Sequence, residues 1–345
     1  MSGKMKSLLI IAFLLPLLVF DVLNYFAIPQ QEADVPKITV TFPKGASLAQ
    51  IADTLQEQSL IQQPKLFVLW AKMLGYEKKI KAGMFEIPVG LNYPQLIAYI
   101  AEAKPLDIKV TLIEGWTSAE ITSELSRKLN LNITKLDSIV YDSAFCMTNG
   151  IHSHNMAGYL LPDTYTFPFG ISEQQVLSYL AGKTLALFES DSARNVLEAS
   201  NYSAHQIITL ASIVEGEAII DDERSVIASV YWNRLKRRMR LQADPTIQFI
   251  LKDGPRRLLY KDLEIDSPYN TYRYAGLPPG PINNPGKASI LATLFPEQSK
   301  FYFFVARGDG SHVFSRNSAE HARAKAEFNK LRREVARKNR YQNRN

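Results

Sequence analysis

Ser203-Ala-His-Gln-Ile-Ile-Thr-Leu-Ala-Ser-Ile-Val-Glu-Gly-Glu-Ala218 is the stretch from which the rest of the chain can be read. Ser203 followed by Gln206 is a capping-box pattern. Ile207, Leu210, Ala211, Val214 and Ala218 then recur at helical spacing, which predicts a helix to about Ala218 with one buried stripe. Glu215 shares a face with Ile208, Ala211 and Ser212, at the edge of that stripe. A carboxylate there is expected to be partly desolvated, and desolvation raises a carboxyl pKa. A general acid working at neutral pH needs such a shift. The plainer alternative is an ordinary boundary glutamate. Glu217, two residues further round, is expected to be solvated.

Downstream, Asp221-Asp222 reads as the cap of a helix to about Met239. Its apolar positions are Val226, Ile227, Val230, Tyr231 and Leu235, and it ends in Lys236-Arg-Arg-Met-Arg240. Leu241-Gln-Ala-Asp-Pro-Thr246 reads as a turn into a short helix. Ser267-Pro-Tyr-Asn-Thr-Tyr272, Gly276-Leu-Pro-Pro-Gly-Pro-Ile282 and Asn284-Pro-Gly286 follow. So much proline fixes φ and stiffens the segment. Stiff loops carrying rings and amides suit carbohydrate, because rings stack on sugar faces and amides bond to hydroxyl and N-acetyl groups. A purely structural turn region is the alternative. Phe301 to Ala306, Arg307-Gly-Asp-Gly310 and His312 to Ser315 read as a β-hairpin, and a helix from Ser318 closes the chain.

Upstream, Ile38 to Phe42 alternates like a strand and Pro43-Lys-Gly45 like a turn. Ser47 is placed to cap a helix holding Leu48, Ile51, Ala52 and Leu55. A helix from about Pro64 to Leu74, a strand Gly83 to Ile87 and a helix Tyr93 to Ala101 follow. An echo appears 70 residues on: Ile38, Val40, Thr41, Gly45, Ala49, Ile51 and Leu55 align with Ile108, Val110, Thr111, Gly115, Ala119, Ile121 and Leu125. A duplicated strand–turn–helix unit is the favoured explanation, and shared local physics the alternative. Gly158 to Phe167 reads as turn-like and aromatic-rich, with helices at roughly 172–189 and 192–199.

The 345 residues are 46% apolar and 21% charged, a globular composition long enough for two domains. The net charge of +6 implies an anionic partner: nucleic acid, lipid headgroups or an acidic polymer. The one cysteine, Cys146, excludes an internal disulfide and reads as a small buried hydrophobe. The five histidines have no metal-ligand spacing, so no metal is expected. Lys4 and Lys6 precede an apolar run from Leu8 to Ile28, interrupted by Asp21 and Asn24, with Glu32 and Asp34 beyond it. That pattern fits an uncleaved signal anchor with the body exported. A cleaved signal peptide competes, but Ala27-Ile-Pro29 makes a poor cleavage site. Export removes nucleic acid from the candidate partners and favours wall polymer or lipid.

Ala211-Ser-Ile-Val-Glu215-Gly-Glu-Ala218 resembles the active-site helix of the YceG-like family of endolytic murein transglycosylases. Arg240-Leu-Gln-Ala-Asp-Pro-Thr246, Tyr269-Asn-Thr-Tyr272, Gly276-Leu-Pro-Pro-Gly-Pro-Ile282, Asp309-Gly-Ser-His-Val-Phe-Ser315, Glu114-Gly-Trp-Thr117 and Gly158-Tyr-Leu-Leu-Pro-Asp-Thr-Tyr165 resemble further family motifs, in order over about residues 36–328. The resemblance implies an α+β chain in five parts. These are a stub and transmembrane anchor at 1–28, a linker at 29–36, a small LysM-like α/β module at 37–104, a larger mixed α+β catalytic domain at 105–335 and a basic tail at 336–345. It implies cleavage inside nascent glycan strands between N-acetylmuramic acid and N-acetylglucosamine, with Glu215 as the catalytic glutamate and no cofactor. Glu215 would protonate the glycosidic oxygen and then deprotonate the muramic acid 6-hydroxyl, leaving a 1,6-anhydro end, so no second carboxylate is required, unlike an ordinary glycosidase.

Tyr269, Asn270 and Tyr272 are candidates for holding the saccharide, together with Gln242, Asp244, Gly276, Pro278 and Pro279. The basic cluster is placed to attract peptidoglycan carboxylates. Expected partners are peptidoglycan, the membrane (inner membrane, single pass, body in the periplasm) and wall-synthesis enzymes such as penicillin-binding proteins. The chain departs from the family at two positions. Gly216 stands where the family usually has Lys, at a helix cost of about 1 kcal/mol relative to Ala and with an expected loosening of the site. Ala322 follows His321 where the family usually has Asn. A wall-binding anchor without activity and a water-using peptidoglycan hydrolase are the alternative functions.

Overall fold

A computed structural model describes residues 35–342 and is a mixed α+β structure. The apolar run Leu8 to Ile28, read as a signal anchor, lies outside the described residues. Among those described, no helix is long and apolar enough to cross a membrane. The described residues divide into two compact units, one containing 35–109 with 166–171, the other 110–165 with 172–342.

In the first unit, β1 (Lys37–Phe42) and β2 (Gly83–Pro88) pair antiparallel, with Val40 opposite Phe85. Between them in sequence come α1 (Leu48–Glu57) and α2 (Pro64–Met73), and α3 (Tyr93–Glu102) follows β2. The alternation along β1 puts Val40 and Phe42 inward, where they join Leu55, Phe67, Phe85 and Ile97, all nearly or fully buried. Each such side chain contributes about 2 kcal/mol through the water it sheds. Ser47 and Gln50 form the expected capping box at the start of α1.

Further along, β3 (Ile108–Thr111) pairs with β4 (Thr164–Phe167). The segment around β4 is therefore partly a strand, where the sequence reads as turn. Gly115 repeats the left-handed turn of Gly45 (φ +78° and +80°), and Thr117 with Glu120 repeats the capping box of Ser47 with Gln50 at α4 (Ser118–Leu129). The echo seen in the sequence is thus matched element by element. Two helices with no sequence assignment follow, α5 (Ile133–Val140) and α6 (Ser143–Thr148), the latter burying Cys146. Then come α7 (Glu173–Ala186) and α8 (Asp191–Ser200).

The centre of the second unit is α9 (Ala204–Glu217), capped by Ser203 and Gln206 as expected. It packs against both α10 (Arg224–Lys236) and α12 (Lys287–Leu294), and its C-terminal part also meets α11 (Asp244–Ile250). Every residue from Ile207 to Val214 is consequently buried, so the single stripe expected from the sequence is in fact a helix covered on all sides. Asp221 and Asp222 do not cap α10; they lie in a 3-10 turn, Asp221–Glu223, and Asp221 instead pairs with Arg224 at 3.0 Å. The hairpin forms as expected from β5 (Phe303–Ala306) and β6 (His312–Ser315), with Phe304 opposite Phe314. The last helix, α13, spans Ser318–Gln342.

Candidate active site

The C-terminal end of α9 delivers Glu215 to a cluster of charge. Its side chain is only 7% exposed, and both carboxyl oxygens are engaged: Oε1 accepts from Arg224 Nη1 at 3.1 Å and Oε2 from the Gly286 N–H at 2.9 Å. A buried carboxylate needs such partners to offset lost hydration. Arg224 is itself buried, and beyond Glu215 it donates to Asp221 and to Ser289 Oγ. Glu114 approaches the same guanidinium at 3.8 Å and keeps a half-exposed side chain. Burial is the main cause of a raised Glu114 pKa, and the Glu215 charge adds to it.

A cleft of about 730 Å³ opens beside this cluster, lined among others by Glu114, Trp116, Glu217, Asp244, Phe249 and Asn283. Exposed Phe249 and half-buried Trp116 supply apolar faces next to carboxyl groups, a mixture that suits a sugar ring. Glu215 stands just behind this wall, its Cγ 3.7 Å from where a Cβ on Gly115 would lie.

Glu217 is only partly exposed, at the wall of the cleft, rather than freely solvated. Burial pushes its carboxyl up to about 7, and Tyr231 donates its hydroxyl to Oε1 at 3.0 Å. The sequence reading failed here because it treated α9 as having an outer face, whereas α10 and α11 cover that end. Gly216 also differs from expectation. A Cβ there would lie 2.6 Å from the Pro245 Cβ, so the glycine admits Pro245 against the helix and draws the 244–246 turn in.

The loops are organised by two asparagines. Asn284 is fully buried; its Oδ1 accepts from the Gly158 and Leu160 N–H groups at 2.9 and 3.1 Å, and its Nδ2 donates to the Trp116 carbonyl at 3.0 Å. One side chain thereby ties together three motifs that are far apart in sequence. Ser212 on α9 accepts the Ile282 N–H and Asn283 donates to the Ser212 carbonyl, seating the proline loop on the helix.

Of the saccharide candidates, Asp244 reaches the cleft, and the Tyr272 hydroxyl donates to its carboxylate. Tyr269 is half-buried against Phe249, ring centres 4.9 Å apart. Gln242 is exposed in a left-handed turn (φ 49°), its N–H donating to the Thr271 carbonyl. Asn270 does not fit a sugar-binding role: it is wholly buried and its amide donates to the Leu263 and Ile265 carbonyls while accepting the Tyr272 N–H. Gly276, Pro278 and Pro279 line a different depression, with His205. Arg224, Glu114 and Asn284 went unassigned in the sequence. Glu114, within its motif, and Asn284, within the proline-rich loops, carried a signal, and Arg224 carried none.

Known proteins resemble this chain in sequence, and one solved structure resembles it in fold. The chain is 31% identical to the endolytic murein transglycosylase of Bacillus subtilis over 87% of each chain. It is 26% identical to that of Streptococcus pneumoniae, over 84% of this chain and 58% of the pneumococcal protein. A crystal structure of a YceG-like protein from Listeria monocytogenes superposes with a TM-score of 0.59 at 32% identity, covering 83% of this chain and 98% of that one. The family model matches residues 40–327, and the chain belongs to the YceG-like family.

Proposed function

We propose that the protein is a lytic transglycosylase of peptidoglycan, cleaving within glycan strands between N-acetylmuramic acid and N-acetylglucosamine and so ending strand growth. The observation that carries this reading is Glu215: a carboxyl at the end of a rigid, fully packed helix, held by Arg224 and the Gly286 N–H beside a cleft with aromatic walls. In its acid form Glu215 gives a proton to the glycosidic oxygen as the C1–O bond breaks, and Arg224 and the Gly286 N–H receive the charge left behind. The muramic acid 6-hydroxyl then attacks C1 and gives its proton to the ionised Glu215, leaving a 1,6-anhydro end. Asp244, Phe249 and Trp116 are positioned to hold the strand.

The flanks extend the proposal. The run Leu8 to Ile28, behind Lys4 and Lys6, supports a single-pass anchor with the body outside the cytoplasm. Two helices between antiparallel strands support a LysM-like reading of the first unit. Wall-synthesis enzymes such as penicillin-binding proteins are the partners this place in the wall calls for.

The test is digestion of purified glycan strands by the full chain in detergent, with mass spectrometry of the ends. Anhydro ends are expected. Reducing ends would mean hydrolysis, and intact strands a binding protein. Glu215→Gln should abolish cleavage, and wild-type activity in that variant would refute the assignment.

A further inference from the structure

We infer that the depression beside Pro278 and Pro279 is a second substrate site, in which Arg238 binds a carboxylate of the peptide stems carried by the glycan strand. The inference rests on the transglycosylase reading and adds to it a preference for strands that keep their peptides.

The end of α10 is the starting point. Arg238 has φ +55°, in the left-handed region. Its N–H and that of Met239 turn back onto the Leu235 and Arg234 carbonyls, a helix ending in which glycine is the usual residue. A side chain there strains the backbone, and such strain concentrates where residues meet ligands. Arg238 lines a depression of about 830 Å³ with Gln206, Leu235, Gly276 and the Pro278–Pro279 turn. It is the one charged residue of that lining, since burial lowers the His205 pKa and keeps the imidazole neutral. The other arginines of the basic cluster are occupied: Arg240 donates to the Tyr272 carbonyl and Arg237 lies over the Tyr302 ring. Among the described residues, the Arg238 side chain has no hydrogen bond, ion pair or ring contact.

The cleft beside Glu215 has the opposite sign. Glu114, Glu120, Glu217 and Asp244 line it, and no lysine or arginine does. Stem carboxylates are repelled there and attracted to Arg238, while uncharged sugar rings suit the cleft. A guanidinium also matches a carboxylate in shape, offering two parallel donors. Tyr269 makes the two sites neighbours. Its ring packs on Phe249 at the cleft, centres 4.9 Å apart. Its hydroxyl lies 3.4 Å from where a Cβ on Gly280 would stand, and His205 Nε2, in the depression, lies 3.7 Å from the same point. His205 and Glu215 are both on α9, about 15 Å apart along its axis, a span of a few sugar rings. A strand held at both sites is gripped away from its end, which suits cleavage in its interior.

The experiment gives the full chain in detergent two substrates: uncross-linked strands with their peptide stems, and the same strands stripped by an amidase. It reads kcat, KM and melting temperature. The wild type should have the lower KM on peptide-bearing strands. Arg238→Gly should raise that KM about 10- to 100-fold, the worth of a hydrogen bond to a charged group, and leave kcat and the KM for stripped strands unchanged. It should melt no lower than the wild type, because glycine takes φ +55° without strain. Equal wild-type KM values on the two substrates overturn the inference. So does a preference for stripped strands, which would point to the lactyl carboxylate that stripping exposes. So does an Arg238→Gly variant whose KM is unchanged, or rises alike on both substrates. If Arg238→Gly melts lower, Arg238→Asn decides, since asparagine also tolerates the left-handed region. A selective rise in its KM supports the site, and an unselective one overturns it. Absence of anhydro ends from the wild type would instead sink the transglycosylase reading. Calorimetry of Glu215→Gln with the two strand types then decides the inference by itself: tighter binding of peptide-bearing strands, lost on adding Arg238→Gly, supports it, and equal binding overturns it.

Discussion

Arg224 Nη1 stands 3.1 Å from Glu215 Oε1, with both side chains less than one-tenth exposed. Neither charge has water to fall back on. Replacing Arg224 with Met should cost about 3–5 kcal/mol, because a buried carboxylate is left unpaired. The double variant Arg224→Met/Glu215→Gln should recover much of that loss. Denaturant melts of the four proteins check it, and strictly additive losses would show that the pair is not coupled.

Glu217 makes stability depend on pH. Its carboxyl moves from its ordinary 4.5 to about 7 in the folded protein. A raised pKa means that the folded state binds the proton more tightly than the unfolded chain. Its contribution is therefore fully present below about pH 4.5 and is lost as pH rises through about 7. At about 1.4 kcal/mol per unit the loss is on the order of 3 kcal/mol. Glu217→Gln should flatten this part of the stability–pH curve in urea titrations, and an unchanged slope would contradict the burial.

Asn284→Ala should destabilise the protein by about 3 kcal/mol or more, since it orphans the Gly158 and Leu160 N–H groups together. Asn284→Asp keeps both acceptor contacts but loses the donations to the Trp116 carbonyl and to Ser118 Oγ and buries a carboxyl group, so it should destabilise as well. Thermal melts rank the two variants.

Helix propensity alone predicts that Gly216→Ala stabilises α9 by about 1 kcal/mol. The Pro245 Cβ, 2.6 Å from the new methyl, predicts the reverse, a loss of about 1–3 kcal/mol from overpacking. A gain in denaturation midpoint would rule out the close contact.

The contrast between Ser203 and Asn270 shows what the sequence made legible. Capping at Ser203, alternation at Val40 and Phe42 and the hairpin around Phe304 are encoded within a few residues, and all appear as read. Asn270, Glu217 and Arg224 owe their roles to groups brought near by folding. An amide in a loop looks the same in sequence whether it meets a sugar or a buried carbonyl. The buried helix α9 misled for the same reason: periodicity reports one face, and contact on every side leaves no polar face to mark. The helices at 133–148 are short, and their asparagine and aspartate caps went unread.

The paired turns at Gly45 and Gly115 bear on how the site could be remodelled. In both, strand, left-handed glycine and capping box are specified within about a dozen residues, and the residue before the glycine is Lys44 in one copy and Glu114 in the other. The turn thus acts as an interchangeable mount: its geometry comes from the local sequence, while the side chain it displays is free to vary. Exchanging the charge it carries should alter the chemistry presented there without asking the chain to learn a new fold.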